Sequence, residues 1–214
     1  MIKTRLKELS VEEFANTITH GFGLMLSVVG FVVLLALAIS RGGAMMIASC
    51  VVYGISLVTL YAASTIYHGT TSTELKQKLQ IVDHCCIYLL IAGSYTPFGL
   101  VILGGSLGQD LLILIWTIAV VGILLKVFLG NRFPAISVVS YLLMGWLGIF
   151  ALQPLFAALG LIPIALAVAG GLAYSLGVVF FAWHRIPHNH AIFHVFVLAG
   201  SILHYVAIAF YVVR

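Results

Sequence analysis

The sequence predicts an all-α, polytopic membrane protein: one domain, residues 1–214, folded as a bundle of seven transmembrane helices with a cytosolic N-terminus and an external C-terminus. Three observations predict it. Hydrophobic residues make up 63% of the chain and charged residues 7%, with a mean hydropathy of +1.20; soluble domains carry roughly a quarter charged residues. Such a composition leaves no polar stripe to cover a water-facing surface. Polar breaks divide the chain's 214 residues into seven units of about 30 residues, each with room for a span of ~20 and a short connection. Finally, the basic residues segregate to one side.

The spans are charge-free runs closed by polar breaks. The first covers residues 14–40 and ends at Arg41-Gly42-Gly43. The second covers 44–68, followed by a polar stretch from Gly69 to Gln80. The third, 83–103, stops at Gly104-Gly105, and the fourth, 110–129, at Gly130-Asn131-Arg132. The uncharged run from Phe133 to His184 is too long for one helix; Gly160 and Pro163 divide it into spans 135–156 and 164–183. The seventh covers 190–213. The first span reads as uncleaved, because its apolar stretch exceeds a signal peptide's core of about 7–15 residues and Glu8, Glu12 and Glu13 spoil the basic leader.

Orientation follows from lysine and arginine. An inside N-terminus puts Lys3, Arg5, Lys7, Lys76, Lys78, Lys126, Arg132 and Arg185 on the cytosolic side, against Arg41 and Arg214 outside. The formal charge of +4 is spread singly over segment ends, which fits anionic lipid headgroups and excludes nucleic acid as a partner. Three cysteines, Cys50, Cys85 and Cys86, make an odd count within apolar runs, so no disulfide framework is expected.

With this orientation, ionisable residues gather at one depth. Glu13, Asn16 and His20 share a face of span one. Ser64 and His68 lie at the inner end of span two, Asp83 in the first inner turn of span three, and His190 and His194 in the first turns of span seven. Ionisable groups within a membrane are costly and point to a functional cavity. His190-x-x-x-His194 sets two imidazoles on one helical face, as a tetrahedral metal needs. A third histidine at matching depth and a nearby carboxylate favour a metal centre over the bland alternative, interfacial histidines bonded to neighbouring helices. Three imidazoles with an open fourth position make a catalytic zinc arrangement, and imidazole ligands favour zinc over iron or manganese.

Other polar residues read differently. His84 points about 100° from Asp83 and is expected to face the loop. Cys85 and Cys86 read as packing residues, His184 and His188 as solvated, and His204 as an interhelical hydrogen-bonder near mid-membrane. Gly21, Gly23, Gly30, Gly170, Gly171 and Gly177 are expected to permit close helix packing.

Several segments carry a resemblance. They are Glu12-Glu13-Phe14-Ala15-Asn16 leading to His20-Gly21, Ser64-Thr65-Ile66-Tyr67-His68, Asp83-His84-Cys85-Cys86-Ile87-Tyr88, Gly93-Ser94-Tyr95-Thr96-Pro97 and Asn189-His190-Ala191-Ile192-Phe193-His194. In this order, over essentially the whole chain, the sequence resembles the hemolysin III family, the bacterial branch of the progestin and adipoQ receptor superfamily. The resemblance implies a multi-pass protein of the bacterial inner (plasma) membrane and a zinc held by His68, His190 and His194. Asp83 and Ser64 would hold a water at the metal, with Glu13, Asn16 and His20 as possible supporting residues behind the ligands.

The expected function is an intramembrane zinc hydrolase acting on a lipid amide or ester, ceramidase-like by analogy with the superfamily, in membrane-lipid homeostasis. Zinc lowers the pKa of its water from 15.7 to roughly 7; Asp83 would act as general base and Ser64 would orient the water or the carboxylate. The alternative is a receptor-like lipid sensor with a structural zinc. A channel or cytolysin is the weaker reading, because a conduction path needs polar residues at several depths.

Overall fold

Local capping chemistry sets where the helices begin. The computed structural model describes residues 9–213. Helix α1 (Val11–Arg41) opens at Ser10, whose Oγ accepts the Glu13 N–H at 3.2 Å, and carries Glu12 and Glu13 in its first turn. Both the cap and the acidic turn complement unpaired N–H groups at a helix start. Helix α2 (Ala44–Gly69) follows the break at Gly42-Gly43.

Helix α3 (Thr73–Pro97) starts within the polar stretch, ten positions ahead of residue 83, because Ser72 caps it through the Leu75 N–H at 3.5 Å. Glu74, Lys76 and Lys78 therefore ride on the helix. Polarity marks where a helix leaves the apolar layer, not where its backbone starts. Helix α3 passes into wide π turns at Phe98–Leu103 just after Pro97, a residue without an N–H to continue the regular ladder.

Helix α4 (Gly105–Leu129) ends at Gly130, held at φ 59°. The fifth span is composite: α5 (Pro134–Trp146), a 3-10 stretch (Leu147–Ala151) and α6 (Leu152–Leu159). Gly160, at φ 79°, separates it from α7 (Leu161–Ala182). Pro163 lies in the first turn of α7, where the missing N–H would have had no helical partner. Helix α8 (Asn189–Ala207) ends in π turns at Ile208–Val212.

Among the described residues, the seven helical segments are long and apolar enough to cross a membrane, and the chain is an integral multi-pass membrane protein. Lys3, Arg5, Lys7, Glu8 and Arg214, which enter the orientation and leader expectations, lie outside the described residues. Large apolar side chains cover the outer surface, Phe128 (81% exposed) and Phe150 (80%) among them, as a lipid-facing wall requires.

The helices close into a ring: α1 packs on α2 and α8, α2 on α3, α3 on α4 and α5, and α7 on α5 and α8. One apolar core, with Leu34, Tyr53, Tyr61, Leu60 and Val197, joins α1, α2 and α8; another, with Tyr88, Ile115, Ala119 and Met144, joins α3, α4 and α5. Small residues let backbones approach. A side chain at Gly170 would run into the His204 ring and reach the Gly200 carbonyl at 3.2 Å, whereas one at Gly171 would meet Trp146 at an ordinary 3.6 Å. His204 itself bonds across the helix pair, its Nε2 donating to the Ala167 carbonyl at 3.0 Å.

Candidate metal centre

Three helices bring their polar ends to one point. Glu13, Asn16 and His20 recur at i, i+3 and i+7 on α1, Ser64 and His68 at i and i+4 near the end of α2, and His190 and His194 at i and i+4 at the start of α8. Helical periodicity turns each set to one side, and the packing of α1 against both α2 and α8 makes those sides face one another. The His68 ring centroid lies 4.9 Å from that of His190 and 5.0 Å from that of His194, and the His190 and His194 centroids are 4.6 Å apart. One ligand atom from each of His68, His190 and His194 lies within 4.8 Å of the others.

The surroundings fix which nitrogen His68 and His194 offer. His68 Nδ1 donates to Glu13 Oε2 at 2.7 Å, with the Asn16 amide against the same nitrogen at 3.4 Å. Its Nε2 is buried without a hydrogen-bond partner, a desolvated lone pair suited to a cation. On the far side, the Thr19 hydroxyl donates to the Ala15 carbonyl at 2.9 Å and so can accept from His194 Nδ1 at 3.1 Å. That leaves His194 Nε2 as the free acceptor. A carboxylate or hydroxyl behind each imidazole is the usual device for orienting metal-binding histidines and raising their basicity. The donor set fits a metal ion: three imidazoles whose ligand atoms lie within 4.8 Å of one another, with no fourth protein ligand grouped with them among the described residues.

His20 takes a different place. Its ring stacks on His194, with centroids 3.4 Å apart and planes 15° apart, and its Nδ1 bonds Ser64 Oγ at 2.7 Å. It thus couples the α1 face to both Ser64 and a ring of the histidine cluster.

A cavity of about 190 Å³ abuts the cluster, and Ser64, Asp83, His190 and His194 line it together. Asp83 is buried at 8% exposure and lies close enough to Ser64 for their side chains to interact. Farther along, the cavity is walled by Leu90, Ile91, Val138, Leu142, Val178 and Val197 and reaches His204.

His84 lines the same cavity as Asp83, which the expectation of a loop-facing ring leaves out, and its side chain also reaches Asn131 in the turn after α4. Because α3 starts at Thr73, both residues lie well inside the helix, and the cavity is broad enough for side chains about 100° apart to reach it. Cys85 and Cys86 are buried and stand outside the histidine cluster.

Three contributors escape the sequence reading. Thr19, three residues after Asn16, was legible in the α1 periodicity, but a lone threonine carries little chemical signal. Lys76 holds Glu13 Oε1 at 3.1 Å while its Nζ also donates to the Tyr67 carbonyl at 3.3 Å, tying α3 to the ends of α1 and α2. Lys126 reads from sequence as an orientation marker, yet it is 2% exposed and lines the cavity.

The Glu13–His68 pair yields a prediction. Glu13→Gln keeps the size of the side chain but loses the carboxylate behind His68 Nδ1, so metal affinity is expected to fall by about 10- to 100-fold. Competition titration with a zinc chelator checks this, and unchanged affinity would separate Glu13 from the centre.

Comparison with known proteins finds relatives over nearly the whole chain. The family model described as "Haemolysin-III related" matches residues 10–205. The chain is 44% identical over 209 residues to Hemolysin-3 of Bacillus cereus, covering 98% of this chain and 95% of that protein. It is 45% identical over 203 residues to a Hemolysin-3 homolog of Bacillus subtilis (strain 168), covering 95% of each. It is also 31% identical over 218 aligned positions to the human Monocyte to macrophage differentiation factor, covering 98% of this chain and 88% of that one.

Proposed function

The chain belongs to the hemolysin III family, and we propose that it is an intramembrane zinc-dependent hydrolase that cleaves a lipid amide or ester, in the service of membrane-lipid homeostasis. One observation carries the reading: ligand atoms of His68, His190 and His194 gather within 4.8 Å at the edge of a cavity that Asp83 and Ser64 also line. His68, His190 and His194 would hold the ion. When bound, zinc supplies Lewis acidity that polarises a carbonyl and acidifies water near neutral pH.

The chain's own groups supply the rest. Glu13 and Thr19 hold the His68 and His194 imidazoles in the tautomer that leaves Nε2 free. Asp83 accepts a proton from the attacking water and returns it to the departing amine or alcohol, as a general base and then acid. Ser64, fixed by His20, positions the water or the carboxylate. The Leu, Ile and Val walls of the cavity take an acyl chain and keep bulk water from the reacting carbonyl. We place the site beneath the cytosolic headgroups of a bacterial inner membrane, with the N-terminus inside.

The second reading is a lipid sensor with a structural metal. Its support is that the polar cluster ties α1, α2 and α8 at one end of the bundle, so metal binding would add folding energy. The name of the Bacillus relatives carries a third reading, a channel or cytolysin. The largely apolar cavity wall weighs against it.

Purified protein assayed against a panel of acyl amides and esters separates the first two. The hydrolase reading expects product release that stops with a chelator and returns with zinc. Zinc-dependent melting without turnover on any member of the panel would transfer the case to the sensor.

A further inference from the structure

Lys126 stands out among the groups that the proposed reaction leaves unused. It lies in the last turn of the 25-residue helix α4, after a run from Leu111 to Leu125 that is apolar apart from Thr117, and is 2% exposed. Among the described residues no carboxylate lies within ion-pair distance, 4.0 Å, of its Nζ; the ion pairs there are Glu13 with His68 and Lys76, and Glu74 with Lys78. Its hydrogen-bond partner is a neutral amide, Asn131 Oδ1 at 2.7 Å. Asn131 is in turn committed through its Nδ2 to Gln80 Oε1, so the Gln80–Asn131 pair fixes the ammonium in place. An ammonium has three N–H donors, and one suffices for Asn131.

The remaining donors have somewhere to act. Lys126 lines the same cavity as Asp83, Ser64 and His190. Asp83, which lines the same cavity, lies within electrostatic range of the ammonium but beyond ion-pair distance, so the cation has no direct counter-ion; within a membrane such a cation marks a place where a ligand can match the charge. A wholly neutral lipid, such as an N-acylated amino alcohol, would leave this ammonium with no closer counter-charge than Asp83. A lipid bearing an oxyanion close to its scissile carbonyl would meet it.

We propose that Lys126 is a specificity residue of the cavity, selecting acyl lipids whose headgroup carries a carboxylate or phosphate over neutral ones. The substrate class follows from the hydrolase reading, whereas the selectivity stands on the ammonium and the cavity. The chief competing account is that Lys126 only caps the C-terminal end of α4, where a cation also suits the helix dipole.

Binding of matched lipids to metal-loaded full-length protein tests this. N-palmitoylglycine and N-palmitoylethanolamine share the acyl chain and amide and differ in the carboxylate; lysophosphatidic acid and monopalmitoylglycerol form the phosphate arm. Wild-type protein is expected to prefer the anionic member of at least one pair by about tenfold or more, the scale of a charged hydrogen bond. The arm that shows the preference identifies the oxyanion. Lys126→Met should abolish that preference while leaving neutral-lipid binding unchanged, and Lys126→Arg should retain most of it.

Equal wild-type binding within both pairs, or a preference that survives in Lys126→Met, overturns the proposal. Should Lys126→Met fail to fold, Asn131→Ala, which loosens the ammonium without removing it, is expected to reduce the preference, and an unchanged preference would count against the proposal. Anionic preference without turnover would retain this inference and remove the hydrolase. Turnover with no preference for charge would do the reverse.

Discussion

A His190→Ala protein is expected to purify with its metal content fallen from about one equivalent to near zero, because two imidazoles are too few for a buried zinc site. His190 and His194 share one face of α8 and meet His68 of α2, so loss of His68 or His194 should have the same consequence. His204 makes a good control: it lies on the same helix but bonds the Ala167 carbonyl, and His204→Ala should keep its metal. Elemental analysis of purified protein reads this directly. Thermal unfolding gives a second reading, since a ligand at 100 times its dissociation constant stabilises by about 2.7 kcal/mol. Added zinc should therefore raise the melting temperature of wild type and leave that of His190→Ala unmoved.

The second large effect concerns Asp83. Asp83→Asn preserves the shape of a buried side chain and removes its capacity to take a proton. The three imidazoles remain, so metal content should be unchanged, while turnover is expected to fall by about 10²- to 10⁴-fold, the usual contribution of a general base. Single-turnover measurements on metal-loaded protein check both halves. Unaltered turnover would remove Asp83 from the chemistry; lost metal would move it among the ligands. Ser64→Ala should have a smaller effect, because Ser64 acts on the water or the carboxylate and not as the proton acceptor.

Much of this arrangement was legible before any coordinates. Helical periodicity alone aligned Glu13 with Asn16 and His20, and His190 with His194. The breaks at Gly42, Gly104, Gly130 and Gly160 separated the spans correctly, because a glycine between two apolar runs has few other uses. What sequence could not give was the third dimension. His84, about 100° around α3 from Asp83, reads as loop-facing, and its place in the cavity wall shows only once α3 is packed against its neighbours. Lys76 and Thr19 matter through contacts with residues 63 and 175 positions away in sequence, and no local pattern announces a partner at that separation. Lys126 was visible as a lone charge, but only the packing of α4 against α3 reveals that it is buried beside the cavity.

In the proposed centre, imidazoles of α2 and α8 share a single ion. X-ray absorption at the zinc edge, on protein purified without added chelator, measures that coordination shell. Three nitrogen ligands at about 2.0–2.1 Å and one oxygen neighbour at a similar distance are expected, with the imidazole scattering lost in His190→Ala. A shell containing sulfur at about 2.3 Å would hand the site to Cys85 and Cys86, and protein free of metal under all loading conditions would contradict the account outright.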